Sequence, residues 1–415
     1  MTGSAYPDLI RDYGSPLYVY DLGRIRSACA ALRTILPEES RLYYSLKANP
    51  HPDIVGCLLE QGCDVEVSSE GEIDAAHAAG ARSAQVLFTG PGKTRSAISH
   101  AIRTGVRRFS IESAADLDRV ATESLANSTE AECLIRVNRD TRLTGSSLTM
   151  AGVSSQFGVD ASALLAHREL YCSRAGAKIV GFHLFSGSNI TAEDRLADQL
   201  YDNAVLAAEL AAAIGIELLE VDLGGGFPAP YAGRGESLNL ALLKGLGDRI
   251  AAVWSGCDVP PQISFESGRY LVATSGSLLS RVVDSKVSKG QFYVVLESGV
   301  NHLGGMSGLR RLARPNPAVE ILGQHDGLVR GSLVGPLCTP IDCLSSDVEL
   351  PSVAEGAVVR IPDVGAYGLT ASLIAFLGHP APIEIVIDGA DVISTSRLTI
   401  TREPVARISQ GALHE

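Results

Sequence analysis

No stretch of these 415 residues is apolar for long enough to span a bilayer. The opening residues, MTGSAYPDLIRDYG, lack a basic segment leading into an apolar one, so neither a membrane nor secretion is expected. Basic residues are in deficit: 35 Lys and Arg stand against 47 Asp and Glu, a net charge of -12. That balance argues against nucleic acid and anionic lipid as partners, since both reward basic surfaces. It leaves small anionic ligands open, because a buried site makes its own local field. The eight cysteines are scattered, with no CxxC and no finger-type spacing. A disulfide framework and a metal site are therefore not expected, and reduced thiols in the cytoplasm are. There is no low-complexity tract and no exact repeat.

What is present is a regular alternation. Short β-rich runs occur at LYYSL (42–46), DVEV (64–67), VLFTG (86–90) and RRFSI (107–111). They continue at CLIRV (133–137), IVGFHLF (179–185), LLEVDLGGG (218–226) and QISFE (262–266). Between them lie helical stretches such as GEIDAAHAAG and ADQLYDNAVLAAELAAAIG, the latter closing on a glycine suited to a helix end. This alternation predicts an α/β fold with a parallel sheet and helices outside it. Eight units fit a (β/α)8 barrel, TIM-like, over residues 26–266. An open eight-stranded sheet stays possible, because spacing alone does not show closure. After residue 266 the texture turns to β-rich runs such as YLVATSGSLLSRVVDSKV, QFYVVLE, AVVRIPDVG and IEIVIDG, with TASLIAFLG as the one helical stretch. Residues 267–415 therefore read as a C-terminal, mostly antiparallel β domain, and 1–25, which include PLYVYD, are assigned to it as well.

In such a barrel the chemistry sits at the C-terminal ends of the strands. Those positions hold Lys47 on strand one, Glu66 on strand two, Arg136 on strand five and His183 on strand six. Ser186 follows His183, Gly224-Gly225-Gly226 ends strand seven, and Glu266 leads into Gly268-Arg269 after strand eight. Singly, each has an ordinary reading as a solvated lysine, a core histidine, a tight glycine turn or a surface ion pair. Together they describe a site for a phosphate-bearing aromatic cofactor. Glycine-lined turns after strands seven and eight let backbone N–H groups approach a phosphate. A lysine can hold an aldehyde as a Schiff base, the usual tether of pyridoxal 5'-phosphate. A carboxylate can keep a pyridine nitrogen protonated, and an imidazole can lie on the ring face. In a partly desolvated, cationic surrounding the Lys47 pKa is expected to fall.

These residues, in the motifs YYSLKAN, EVSSEGE, HLFSGS, DLGGGF, ESGRYLVA, GPLCTPID and GAYG, resemble the fold-type III pyridoxal-phosphate decarboxylases. That family includes the diaminopimelate and ornithine decarboxylases, and the likeness runs almost the whole length. It implies a barrel joined to an alanine-racemase-like β domain, working as a head-to-tail homodimer with shared active sites. It also implies that Lys47 tethers the cofactor, His183 stacks on its ring and Glu266 meets the pyridine nitrogen. Ser186, Gly225, Gly226, Gly268, Arg269 and Tyr367 would surround the phosphate, while Glu66 and Arg136 would line the floor. Cys338, from the neighbouring subunit, would return a proton after carbon dioxide leaves, and Asp342 would lie near the substrate's distal end.

The departures fall on substrate positions. Diaminopimelate enzymes place a glutamate, and ornithine enzymes an aspartate, where this chain has Thr339. A neutral hydroxyl does not pair with a distal ammonium as a carboxylate does. In the Arg-Pro-x-x-Tyr element of diaminopimelate enzymes, Arg314 is kept but Ala318 replaces the tyrosine. The expected reaction is α-decarboxylation of an amino acid or its conjugate, carrier-protein-linked or citrate-linked, in a secondary-metabolite or siderophore pathway. Three alternatives stay open: diaminopimelate decarboxylation proper, an alanine-racemase-like activity and a non-catalytic, cofactor-binding regulator.

Overall fold

Alternating β-rich and helical runs place each strand beside the next with a helix returning outside, and the eight units close on themselves. The computed structural model describes residues 6–140, 148–149, 155–304, 316–322 and 327–404. Strand β1 is Leu17–Asp21; the barrel strands are β2 (Arg41–Ser45), β3 (Asp64–Val67), β4 (Val86–Phe88) and β5 (Arg108–Ile111). They continue as β6 (Ala131–Asn138), β7 (Ala177–His183), β8 (Glu220–Asp222) and β9 (Gln262–Ser267). All neighbours are parallel, and β9 pairs back onto β2 with Phe265 opposite Leu42. The sheet is therefore a closed barrel rather than an open one.

The barrel's lower end is held by polar groups that a sheet interior can carry only when paired. Glu220 accepts from Arg41 at 2.8 Å and from the Tyr43 phenol at 2.9 Å, and Arg41 also meets Asp64 at 2.9 Å. Above it, Tyr43, Leu87, Leu134 and Val180 plug the interior. Outside, the long helix Glu193–Ile214 buries Leu196, Leu200, Ala204, Ala207 and Leu210 against the strands. It stops at Gly215, whose φ of 74° suits glycine.

The second sheet holds β10 (Gly276–Ser288), β11 (Gln291–Leu296), β12 (Leu328–Val334) and β13 (Cys343–Pro351). To these it adds β14 (Val358–Pro362), β15 (Ile383–Asp388) and β16 (Asp391–Arg397). Its order is β13-β12-β11-β10-β1-β15-β16, with β14 also on β10, and only β1–β15 and β11–β12 are parallel. The N-terminal strand thus lies inside the sheet of the C-terminal residues. Two expectations need correction. TASLIAFLG forms only two short 3-10 turns, Leu369–Ala371 and Phe376–Gly378, broken by Leu377 at φ 57°. YLVATSG begins as one helical turn, Arg269–Val272, before β10 starts. No helix among the described residues is long and apolar enough to cross a membrane.

The two parts meet beside Lys47. Asn49 donates through its side chain to the Gly365 carbonyl at 2.9 Å, and the Tyr367 N–H donates to the Ala48 carbonyl at 2.8 Å. These bonds bring the GAYG loop to the end of the first barrel strand.

Candidate active site

Strand β2 stops at Ser45, and Leu46–Ala48 make one 3-10 turn. Leu46 and Ala48 are buried on either side of Lys47, so apolar burial fixes the turn and turns the lysine into an open cavity. That cavity holds about 400 Å³, within the range of small-molecule sites. Lys47 Nζ lies 2.9 and 3.1 Å from the two carboxylate oxygens of Glu66, which end β3. Thr89, after β4, donates to the same Glu66 carboxylate at 2.6 Å. Burial works to raise the Glu66 carboxyl, but Lys47 and the Ser45 and Thr89 hydroxyls overcome it and pull it down to about 2. For Lys47, burial works downward, and Glu66, Glu266 and Tyr367 carry it above the usual lysine range. The expected fall is therefore corrected: the protein groups around this ammonium are anionic, not cationic.

On the far side β7, β8 and β9 bring His183, Asp222 and Glu266 together in the barrel's interior, with ligating atoms within 4.8 Å of one another. His183 Nδ1 is 2.8 Å from the Ser110 hydroxyl, and its Nε2 lies 3.3 Å from Glu266 Oε1. Burial lowers the imidazole, and Glu266 and Asp222 outweigh it, leaving it raised. Glu266 lines the cavity, whereas His183, expected on the ring face, is buried and does not line it. Asp222 caps the glycine turn, its Oδ1 accepting from the Gly224 N–H at 2.8 Å.

The glycine positions are steric requirements. A Cβ on Gly225 would collide with the Glu266 carbonyl, and Gly226 has φ 112°. Gly226, Gly268, Arg269 and Tyr367 line one end of the cavity, with the Arg269 guanidinium 4.7 Å from the Tyr367 ring centre. Ser186 does not line it: its hydroxyl donates to Asn203 at 3.1 Å, and Ser188, two residues on, is in the wall. Gly225 also stays behind the wall, its carbonyl accepting from Gln199 at 3.2 Å. Arg136 faces the cavity between Phe157 and Phe185, at 4.7 and 5.7 Å from their ring centres, and donates to Glu112 at 3.2 Å.

The substrate positions are placed differently. Cys338 is exposed, Thr339 is half-buried, and neither lines the Lys47 cavity of its own chain. Asp342 is buried, and its oxygens accept from the Val300 and Leu337 N–H groups at 2.8 and 2.7 Å. This carboxylate, expected near the substrate's distal end, anchors the loop. Arg314 lies outside the described residues. Sequence reading missed Thr89, Glu112 and Asp222. Thr89 stands just before the final glycine of VLFTG, so inspecting the end of that strand as well would have found it. Asp222 announced itself as an acid within an apolar run.

These groups fit pyridoxal 5'-phosphate. Among the described residues the buried Arg269 Nε has no hydrogen-bond partner, and Glu266 Oε1 has none nearer than the His183 imidazole at 3.3 Å. A carboxylate for a ring nitrogen, a guanidinium beside tight glycine turns and a lysine for an aldehyde are the donor set that the cofactor requires. Residues 22–273 match the family described as pyridoxal-dependent decarboxylase, pyridoxal binding domain. An L-glutamyl-[BtrI acyl-carrier protein] decarboxylase from Niallia circulans is 31% identical over 91% of this chain and 90% of its own. A 2-[(L-alanin-3-ylcarbamoyl)methyl]-2-hydroxybutanedioate decarboxylase from Staphylococcus aureus is 27% identical, covering 88% of this chain and 92% of its own. The crystal structure of diaminopimelate decarboxylase from Helicobacter pylori, complexed with L-lysine, superposes with a TM-score of 0.81 at 25% identity. That match covers 94% of this chain and 95% of the other. This chain belongs to the pyridoxal-dependent decarboxylases, carboxy-lyases that act on amino acids or their conjugates with pyridoxal phosphate.

Proposed function

We propose that this decarboxylase acts on an amino acid whose distal end is joined to a larger group, a carrier protein or a citrate-like acid. The observation that carries the reading is the state of the GPLCTPID loop. Its one carboxylate, Asp342, is occupied by two backbone N–H groups, and its neighbour to Cys338 is the neutral Thr339. A distal ammonium would find no free carboxylate there, and an ammonium desolvated without one is disfavoured. The names of the Niallia and Staphylococcus relatives, both conjugate decarboxylases, support the same reading. An antibiotic-like or siderophore pathway in the cytoplasm is the setting that such substrates suggest.

When bound, the cofactor supplies an electron sink for the pair left as carbon dioxide departs. Lys47 is its tether, and the Glu66–Thr89 pair holds the lysine nitrogen in place. Glu266 accepts from the ring nitrogen, with His183 behind it. Gly226, Gly268, Arg269 and Tyr367 hold the phosphate, and Arg136 with its aromatic neighbours forms the floor. Cys338 of a second copy returns the proton to the α-carbon, the head-to-tail pair completing each site.

Carbon dioxide release by the cofactor-loaded protein tests this directly. The panel holds free diaminopimelate, lysine, ornithine, arginine and glutamate beside citryl-linked and carrier-linked amino acids. Release from a conjugate alone is expected. Turnover of a free basic amino acid with kcat/KM above roughly 10⁴ M⁻¹s⁻¹ would overturn the substrate reading.

A further inference from the structure

Strand β8 is short, and its last residue, Asp222, is wholly buried. The Oδ1 atom serves the turn by accepting from the Gly224 N–H. That service alone does not need an acid, since an asparagine would offer the same acceptor. Oδ2 has no hydrogen-bond partner among the described residues, while His183 Nε2 and Glu266 Oε1 face each other at 3.3 Å. Two carboxylates within 4.8 Å in a dry interior repel each other, an arrangement retained only where the charge is used.

We propose that Asp222 is a positioning residue of the decarboxylase, a second carboxylate behind Glu266 that keeps the ring-nitrogen pocket anionic and holds the His183 imidazole. The proposal rests on the reading of Glu266 as the partner of the ring nitrogen. With His183 charged and both acids ionised, the three groups carry one net negative charge. A protonated ring nitrogen at Glu266 neutralises it. Asp222 therefore favours the protonated ring, the form that best accepts electrons.

The groups facing Asp222 are Glu266 on β9, His183 on β7, and Glu220 and Tyr43 at the next layer down, with Arg136 acting on His183. Burial and then Glu266 push the Asp222 carboxyl up to about 7, against His183 and the Gly224 N–H. A carboxyl raised in the fold above its unfolded value favours folding at low pH. That contribution fades as pH rises from about 4 to about 7.

Asp222→Asn keeps the acceptor for Gly224 and removes the charge. In the apoprotein, histidine NMR should show His183 titrating about one unit lower in this variant, the effect of losing a nearby opposite charge. In the loaded enzyme kcat should fall about tenfold with KM little changed, a loss that a turn acceptor alone would not produce. An unmoved His183 titration overturns the proposal. So does full kcat in Asp222→Asn when Glu266→Gln has lost it. If both variants keep kcat, the reading of Glu266 falls and this inference with it. If Asp222→Asn does not fold, carbon-13 aspartate titration of the wild-type apoprotein decides. A buried aspartate carboxyl that is ionised at the pH of activity supports the assignment, and one still protonated there overturns it.

Discussion

At the scale of single residues, the decisive facts concern charge and what it touches. The Lys47 ammonium is held by Glu66 and kept above the usual lysine range, so it must lose a proton before its nitrogen can attack a carbonyl. Cofactor uptake by the apoprotein should therefore quicken as pH rises. Glu66→Gln removes the nearest charge, so the lysine falls toward its ordinary value and the uptake profile moves to lower pH by about one unit or more. Stopped-flow absorbance of the growing cofactor–lysine band measures it, and an unmoved profile would show that Glu66 does not govern the lysine. Asp342 makes a different case. Two buried N–H groups, of Val300 and Leu337, depend on its oxygens. Asp342→Ala leaves both unsatisfied at a cost of about 1–3 kcal/mol each, so the melting temperature of the apoprotein should drop clearly. A variant with unchanged melting but weakened substrate binding would return Asp342 to the substrate.

At the scale of elements, the glycine turn after β8 and the end of β9 are built around each other. Gly225→Ala puts a methyl group against the Glu266 carbonyl, which belongs to strand backbone and has little room to move. Cofactor affinity should fall by at least tenfold, read by equilibrium titration of cofactor absorbance, with far-UV circular dichroism retained. Unchanged affinity would separate the turn from the cofactor. All eight barrel strands were legible because a parallel strand, buried on both faces, leaves a continuous apolar run between helices. Closure was not, because it lies in the β9–β2 register, with Phe265 opposite Leu42, a pairing between residues more than two hundred apart. The residues around Lys47 were legible as strand ends. The roles of Ser186 and Asp342 were not, because whether a hydroxyl or carboxylate meets ligand or backbone depends on neighbours such as Asn203, Val300 and Leu337. The stretch TASLIAFLG misled for a related reason: its composition is helical, but Ser372 donates to the Gly368 carbonyl and Leu377 turns left-handed.

At the scale of the whole molecule, Cys338 and the Lys47 cavity lie on surfaces that one chain does not bring together. Cys338 is exposed and does not line the cavity holding Lys47. Its own loop also exposes the apolar Ile341, and the turns after GAYG expose Leu373, Phe376 and Leu377. The segment 298–304 ties these together, since the Val300 N–H donates to Asp342 and the Gly304 N–H to Ser372. Exposed apolar groups on loops tied together in this way suit a surface that a second copy covers. If so, Lys47 of one chain works with Cys338 of the other. Lys47→Ala and Cys338→Ala homodimers should then both be poorly active, each lacking a part in both sites. Mixed in equal amounts and allowed to exchange, about half of the dimers are hybrids. Each hybrid has one site with both residues intact and one with neither, so activity should return to about a quarter of wild type. The far-UV spectrum of Lys47→Ala should match wild type, because its side chain makes no contact that the strand needs. Activity that stays at the average of the two parents at every mixing ratio would mean that each chain completes its own site.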